Sequence, residues 1–475
     1  MVGTPLCFAA AGGLHPQHAG YRAHCDLAVS SNSTPSVERN QNYVGQNLAV
    51  SSNSATSVER NQNSAGRDLG VSNNSATSVE RNENSVGRDI AVSSNSVPSV
   101  EEIQVSLKEI SEKTGKKPAF IYVLVQPDGL HLVLVTPSSK IYRHVPEANR
   151  DAILEVVLEL RVQITDSVNI DTTSYLESAQ KLYQWLIAPL EAELQAQKID
   201  TLAFSLDPGL RSLPIAALHD GQQFLVEKYS IGLVPSANLI DPSYKDIRNS
   251  PVLAMGASEF TNVNMDALPG VPVEISTISQ NIWKGKFFLN EQFTLDNLRI
   301  ERTRESFSII HLATHGSFQK GKPHDSYIQF WNSQLRLDRI GEMGWNKPQV
   351  ELLVLSACQT ALGDEQAELG FSGLAVISGV KSALASLWSV SDQGTLGLMT
   401  EFYEQLKIVP IKAEALRQAQ ISMIRGQLQL KDGKLQGLTS APDGLPLPPQ
   451  LASLPDKNFS HPYYWSAFTM IGTPW

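Results

Sequence analysis

The chain has 475 residues, 42% of them apolar, and a formal net charge of −10. That length suffices for a large core or two domains. Moderate acidity gives no attraction to nucleic acid or to an anionic bilayer, and no uninterrupted apolar run has spanning length, so neither a nucleic-acid nor a membrane partner is expected. Cys7, Cys25 and Cys358 make no disulfide framework and suit a reducing, cytoplasmic compartment. The ten histidines are scattered, without a tight carboxylate-histidine cluster, so neither a metal nor a cofactor is predicted.

Residues 1–25 read as a disordered or poorly defined start. Leu6 to Gly13 is apolar but short, with no preceding basic run and no cleavage pattern, which argues against a signal peptide. Residues 26–100 repeat with a period of 21, as in LAVSSNSATSVERNQNSAGRD, with Val37, Val58, Val79 and Val100 in register. A fixed period can mark stacked units. Each unit, however, offers only a few apolar residues amid Ser, Asn and Thr, and the segment reads as a flexible, low-complexity spacer rather than a solenoid.

From 101 to 475 the pattern becomes that of a folded region, with 101–200 a strand-helix subregion and 201–475 the core. Residues 101–115 predict a helix with Val105, Leu107 and Ile110 near one face. Strands follow at 118–125 and 130–136 around Pro127-Asp128-Gly129, with a third near Tyr142. Helices are expected over 148–165 and 173–197, a strand over 201–205, and a further strand-like section from Phe224 to Tyr229. Val234-Pro235-Ser236 reads as a turn into a helix capped by Ser236. Pro251 to Gly256 is a core strand, Val273 to Trp283 a helix beginning near Glu274, Phe287 to Leu289 a strand, and Phe293 to Ile300 a helix.

Two segments then carry candidate chemistry. FSIIHLATHG (307–316) and VELLVLSACQTALG (350–363) each run from an apolar strand into a turn of small and polar residues. Near-continuous apolar strands suit a parallel sheet covered on both faces, and such sheets hold reactive groups beyond their carboxyl ends. That location receives His315 in one segment and Cys358 in the other. A free thiol is little ionised at neutrality, so an imidazole that takes its proton makes it a far better nucleophile and can later protonate an amide leaving group. Backbone amides around Gly316 and Cys358 would face a developing oxyanion. Taken bare, one His and one Cys after separate strands are weak evidence of contact. His324 is a poorer base candidate because it lacks the strand-end position.

These two motifs, with SLWSVSD at 386–392 and HPYYWSAFTMIG at 461–472, resemble the CHAT domain. This caspase-like family is associated with tetratricopeptide repeats and belongs to the clan of caspase- and separase-like cysteine peptidases. The resemblance runs over roughly 105–475. It implies an α/β, caspase-like layered fold, a mostly parallel central sheet flanked by helices, with His315 and Cys358 as the catalytic dyad. His311 does not match the catalytic position. The expected function is that of a cysteine endopeptidase cutting after a basic residue and activated by a regulatory protein partner, with a protein or peptide as substrate. The alternative is a catalytically silent interaction or signalling module. Asp392, then Asp364, lead as acidic pocket residues, because an acidic pocket favours Arg or Lys. Arg211, in a stretch recurrent in the family, is a further pocket candidate. No tetratricopeptide array is present in the sequence, a departure from the common family organisation.

After Cys358, helices are expected over 370–376, 396–406 and 412–428, a strand over 385–390, a loop over 433–449 and a final strand from Tyr463 to Ile471.

Overall fold

The computed structural model describes residues 98–261, 265–319, 322, 324–357 and 370–475. Residues 26–97 of the repeat segment, Cys358 and Asp364 lie outside the described residues. An eleven-stranded sheet runs through the described part. Its strands are β1 (Pro118–Gln126), β2 (Gly129–Val135), β3 (Lys140–Val145), β4 (Thr201–Leu206), β5 (Ser230–Leu233), β6 (Val252–Gly256), β7 (Gly285–Leu289), β8 (Ile309–Ala313), β9 (Leu352–Ser356), β10 (Ser382–Ser386) and β11 (Phe468–Gly472). Their spatial order is β3-β2-β1-β4-β5-β11-β10-β9-β8-β6-β7. The pairings β1·β2, β2·β3 and β10·β11 are antiparallel and the other seven parallel, as the apolar runs predict. Strands β6, β8, β9 and β10 are buried at every residue, which is possible only because helices cover both faces.

The helices are α1 (Val100–Thr114), α2 (Arg150–Thr165), α3 (Tyr175–Leu186), α4 (Ala188–Ala196), α5 (Val271–Ser276), α6 (Leu295–Arg304), α7 (Gly370–Ile377), α8 (Asp392–Leu406) and α9 (Lys412–Ile424). Ser99 and Glu102 form a reciprocal capping box at the start of α1. The buried face of α1 is Ile103, Leu107 and Ile110, while Val105 is 58% exposed. Spacings of four and three stack residues on one face; Val105, two positions from Leu107, turns away.

Several expected elements differ from those observed. The long helix expected over 173–197 is two helices, because Pro189 sits in the first turn of α4, where its missing N–H costs nothing but a continuous helix is broken. Phe224 to Tyr229 is no strand: Leu225–Lys228 is one helical turn, Glu227 accepts the Phe224 N–H, and the strand begins only at Ser230. Ser236 makes no side-chain cap. The helix expected from near Glu274 begins at Val271 and passes into a wider turn over Thr277–Ile282. Gln429–Lys431, Lys434–Gln436, Leu445–Pro446 and Lys457–Asn458 pair in a small antiparallel sheet where a loop was expected over 433–449. The last strand starts at Phe468; Pro462–Trp465 before it is a helical turn.

That turn is held by His461. Its Nδ1 accepts the Tyr463 N–H at 3.2 Å, so the ring proton sits on Nε2, which is buried and has no partner among the described residues. Burial pushes the His461 pKa down from 6.5 to about 4. The neutral ring is favoured in the folded chain, so the stability it confers is complete above pH 6.5 and is lost as the pH falls toward 4, where the unfolded chain already carries the proton. We predict a loss of up to about 3 kcal/mol over that window. His461→Gln should flatten this part of the stability-pH curve, measured by urea unfolding at fixed steps from pH 7 to 4.

Candidate functional site

The carboxyl ends of β8 and β9 lie side by side, with Ala313 opposite Ser356 in parallel register. The Thr314 N–H continues the pairing to the Ser356 carbonyl at 3.1 Å, and the Thr314 hydroxyl donates to the Gln329 carbonyl at 2.7 Å. His315 is therefore the first residue beyond the sheet on one strand, and Ala357 the first on the other. Gly316 follows in a short strand that pairs with Ile328 in a separate three-stranded sheet.

Above His315 passes the segment after β6. It is anchored by the Ala257 N–H on the Ala313 carbonyl and closed by the Leu268 N–H on the Ser258 carbonyl. Gly256 permits this entry: a Cβ there would lie 2.6 Å from the Ala313 carbonyl oxygen and 2.7 Å from Val271. The Phe260 ring leans on the imidazole with centroids 4.9 Å apart, and His315 Nε2 lies 2.8 Å from the Asp266 carbonyl oxygen. A carbonyl oxygen only accepts, so Nε2 carries the proton and Nδ1 of the neutral ring keeps its lone pair.

His315 and Ala357 line one cavity of about 120 Å³ with Leu268, Gly270, Glu274, Ser356, Asp392 and Thr395. Asp392, expected in a loop after a strand, lies in the first turn of α8, with Ser391 as the cap accepting the Gly394 N–H. Burial is the main cause that pushes the Asp392 carboxyl above the ordinary carboxylate range, and the negative Glu274 adds to it. The Gly270 N–H and the nearby His315 act in the opposite direction.

Glu274 escaped the sequence reading. It is 3% exposed, on α5, and its Oε1 lies 2.9 Å from Nε2 of His311, which is fully buried within β8. The two atoms are in close contact, but the angle falls outside hydrogen-bond range, so neither gains an aligned bond from the other. His311 Nδ1 is 3.3 Å from the Tyr403 hydroxyl. Burial, then the Glu274 charge, drives that phenol well above its usual value. The signal available in sequence was an acidic residue among the apolar residues of a helix's first turn, and an imidazole four residues before His315 inside an apolar strand.

The remaining candidates fall elsewhere. Arg211 lines a small crevice with Phe204, Leu206, Leu233, Val234 and Pro235, beyond the ends of β4 and β5. His324 is exposed and pairs with Asp325 at 3.3 Å. Cys358 directly follows Ala357 in the chain, outside the described residues together with Asp364. Among the described residues one histidine-carboxylate set does assemble, Asp128, His131 and His144, although their sequence positions read as scattered. No helix of the described residues is long and apolar enough to cross a membrane.

A mixed, mostly parallel sheet flanked by helices, with an oriented histidine at the carboxyl end of a buried strand, defines the class of this protein. The chain belongs to the CHAT domain family, whose model matches residues 176–473. Among solved structures it is similar to separase in the Saccharomyces cerevisiae separase-securin complex, at 11% identity and a TM-score of 0.47, covering 79% of this chain and 31% of that one. It is also similar to the Arg-specific cysteine proteinase gingipain R, at 12% identity and a TM-score of 0.39, covering 68% and 74%. The chain thus spans about a third of the separase chain. No curated protein sequence matches it.

The Glu274–His311 pair generates a prediction. Glu274→Leu or His311→Leu alone leaves one buried ionisable group facing an apolar replacement and should cost about 3 kcal/mol. The double substitution should cost less than the sum of the two, by at least about 1 kcal/mol. Urea unfolding of the four proteins measures this coupling.

Proposed function

We propose that the protein is a cysteine endopeptidase in which Cys358 is the nucleophile, His315 the proton carrier and Asp392 the acidic group that receives a basic side chain before the cleaved bond. The observation that carries this reading is the state of His315. Its Nε2–H is committed to the Asp266 carbonyl, leaving Nδ1 as the base, in a cavity whose wall includes Ala357, the residue before Cys358. Membership of the CHAT domain family supports it further.

In the proposed reaction the Cys358 thiol gives its proton to His315 Nδ1, and the thiolate attacks the peptide carbonyl carbon. Backbone N–H groups of Gly316 and Cys358 hold the resulting oxyanion. The tetrahedral species collapses with scission of the C–N bond, and His315 returns the proton to the departing amine. Water, deprotonated by the same imidazole, then hydrolyses the thioester and restores the thiol. A basic side chain in the pocket would keep Asp392 ionised by charge pairing, against the burial that favours its neutral form.

The test is peptide cleavage by the full chain, using substrates that differ only in carrying Arg, Lys, Gln or Asp before the scissile bond, with and without extract from the source cells as a supply of activating partner. Cleavage after Arg or Lys that Cys358→Ala abolishes is the expected result. Identical products from the unmodified chain and Cys358→Ala would sink the proposal, and peptide binding without turnover in every condition would make the protein an interaction module instead. Asp392→Asn should lower kcat/KM for the basic substrates about 30-fold or more, with little effect on the Gln substrate.

A further inference from the structure

At the opposite end of the sheet order from β8 and β9, the two antiparallel hairpins at the edge bring three ligand-type side chains to one point. Strands β1 and β2 turn through Pro127-Asp128, with Gln126 opposite Gly129. Strands β2 and β3 pair with Val135 opposite Lys140, and counting back along that ladder sets His131 directly opposite His144. Side chains of directly opposed residues share a face and stand about 5 Å apart at Cβ. Accordingly the two imidazoles stack, with centroids 4.6 Å apart and planes inclined by 24°.

Both rings turn Nε2 toward Asp128. His131 Nε2 is 3.0 Å from Asp128 Oδ1, and His144 Nε2 is 3.0 Å from the Asp128 carbonyl oxygen and 3.8 Å from Oδ2. A ligand atom from each of the three side chains lies within 4.8 Å of the other two. The turn approaches β3 this closely because Gly129, at φ +135°, has no Cβ; one would fall 2.7 Å from the Val145 carbonyl oxygen and 3.0 Å from His144 Nε2. His131 Nδ1 is engaged separately, 2.6 Å from the Tyr142 hydroxyl.

We propose that Asp128, His131 and His144 form a binding site for one divalent transition-metal ion of the zinc class, which ties the β1–β2 turn to the edge strand β3. Without a metal each Nε2–H donates to Asp128, that of His131 to the carboxylate and that of His144 to the carbonyl oxygen. With the ring protons on Nδ1 instead, two imidazole lone pairs and the carboxylate face one point, where a single metal ion accepts all three. Two nitrogen donors out of three select zinc, nickel, cobalt or copper over calcium and magnesium, which take oxygen ligands. The Tyr142 hydroxyl on Nδ1 supplies the outer contact that orients a ligating imidazole through its other nitrogen. Tetrahedral zinc with bonds of about 2.0–2.1 Å needs donors about 3.4 Å apart, so the set closes by roughly an ångström on binding. Asp128 is 66% exposed at its side chain and His144 35%, which leaves both free to make that movement and leaves the ion an entry path and a water position. The role is structural: seven strands of the sheet lie between β3 and β8, which leads to the His315 cavity.

The test uses the full chain freed of metal with a chelator and titrated with zinc chloride, followed by calorimetry and by thermal unfolding. The chain holds other histidines and all three cysteines outside the described residues, so the deciding quantity is the difference between proteins. The unmodified chain should take up one more zinc ion than His144→Ala or His131→Gln, or bind that ion at least about tenfold more tightly. Zinc should raise its melting temperature by a few degrees, and magnesium or calcium should do neither. Without metal, the variants should melt within a few degrees of the unmodified chain; if His144→Ala does not fold, Asp128→Asn, which keeps the turn, takes its place. Equal zinc stoichiometry and affinity in the unmodified chain and the variants, or no zinc uptake at all, overturns the proposal.

Discussion

The parallel pairing of β8 with β9, in the register that sets Ala313 against Ser356, is the constraint on which the site depends. Two apolar strands buried on both faces cannot slip by one residue without turning every side chain to the opposite face. Their carboxyl ends therefore finish at one level, and His315 and Ala357, which lie just past them, line one cavity. The Thr314 side chain, bonded to the Gln329 carbonyl, prolongs this order by one residue past the strand and so fixes where the imidazole departs.

Orientation of that imidazole comes from a different part of the chain. The segment following β6 crosses over the ends of the strands and is held at both sides, so the Asp266 carbonyl and the Phe260 ring meet His315 from above. A carbonyl as the Nε2 partner is a choice with chemical content. It accepts a proton bond without carrying a full charge, so it selects the tautomer while leaving the ring able to gain and release a proton at Nδ1. Beneath, Glu274, His311 and Tyr403 form a buried polar group whose negative member also acts on Asp392. The cavity floor is thus electrostatically joined to the core of the sheet through α5 and α8, and cannot be treated as a surface feature.

The structure departs from the sequence reading mainly at short, locally ambiguous stretches. Phe224 to Tyr229 has strand-like composition, but one capped helical turn satisfies its backbone instead. Residues 433–449 carry the Gly and Pro content of a loop and yet supply strands, because Leu430 and Leu435 bury their side chains and thereby make a small sheet worthwhile. Asp392 was legible as a candidate on the residues of SLWSVSD, but its position in the first turn of α8, close to Gly270 and His315, depended on a helix start that the periodicity placed four residues later. Glu274 was overlooked because nothing local to it indicates a partner 37 positions away in sequence.

Sequence by itself determined the strands that carry the site, the mostly parallel character of the sheet and the family, because these follow from long apolar runs and from ordered motifs whose signals are local. It also marked His315 and Asp392 as residues of interest. Only the tertiary structure decided which nitrogen of His315 carries the proton, which carboxylates share its cavity, and that His131, His144 and Asp128 converge at the sheet edge. Those outcomes rest on strand register and on loop closure between residues far apart in the chain, and the free energies that fix them are summed over the whole core rather than written in any one segment.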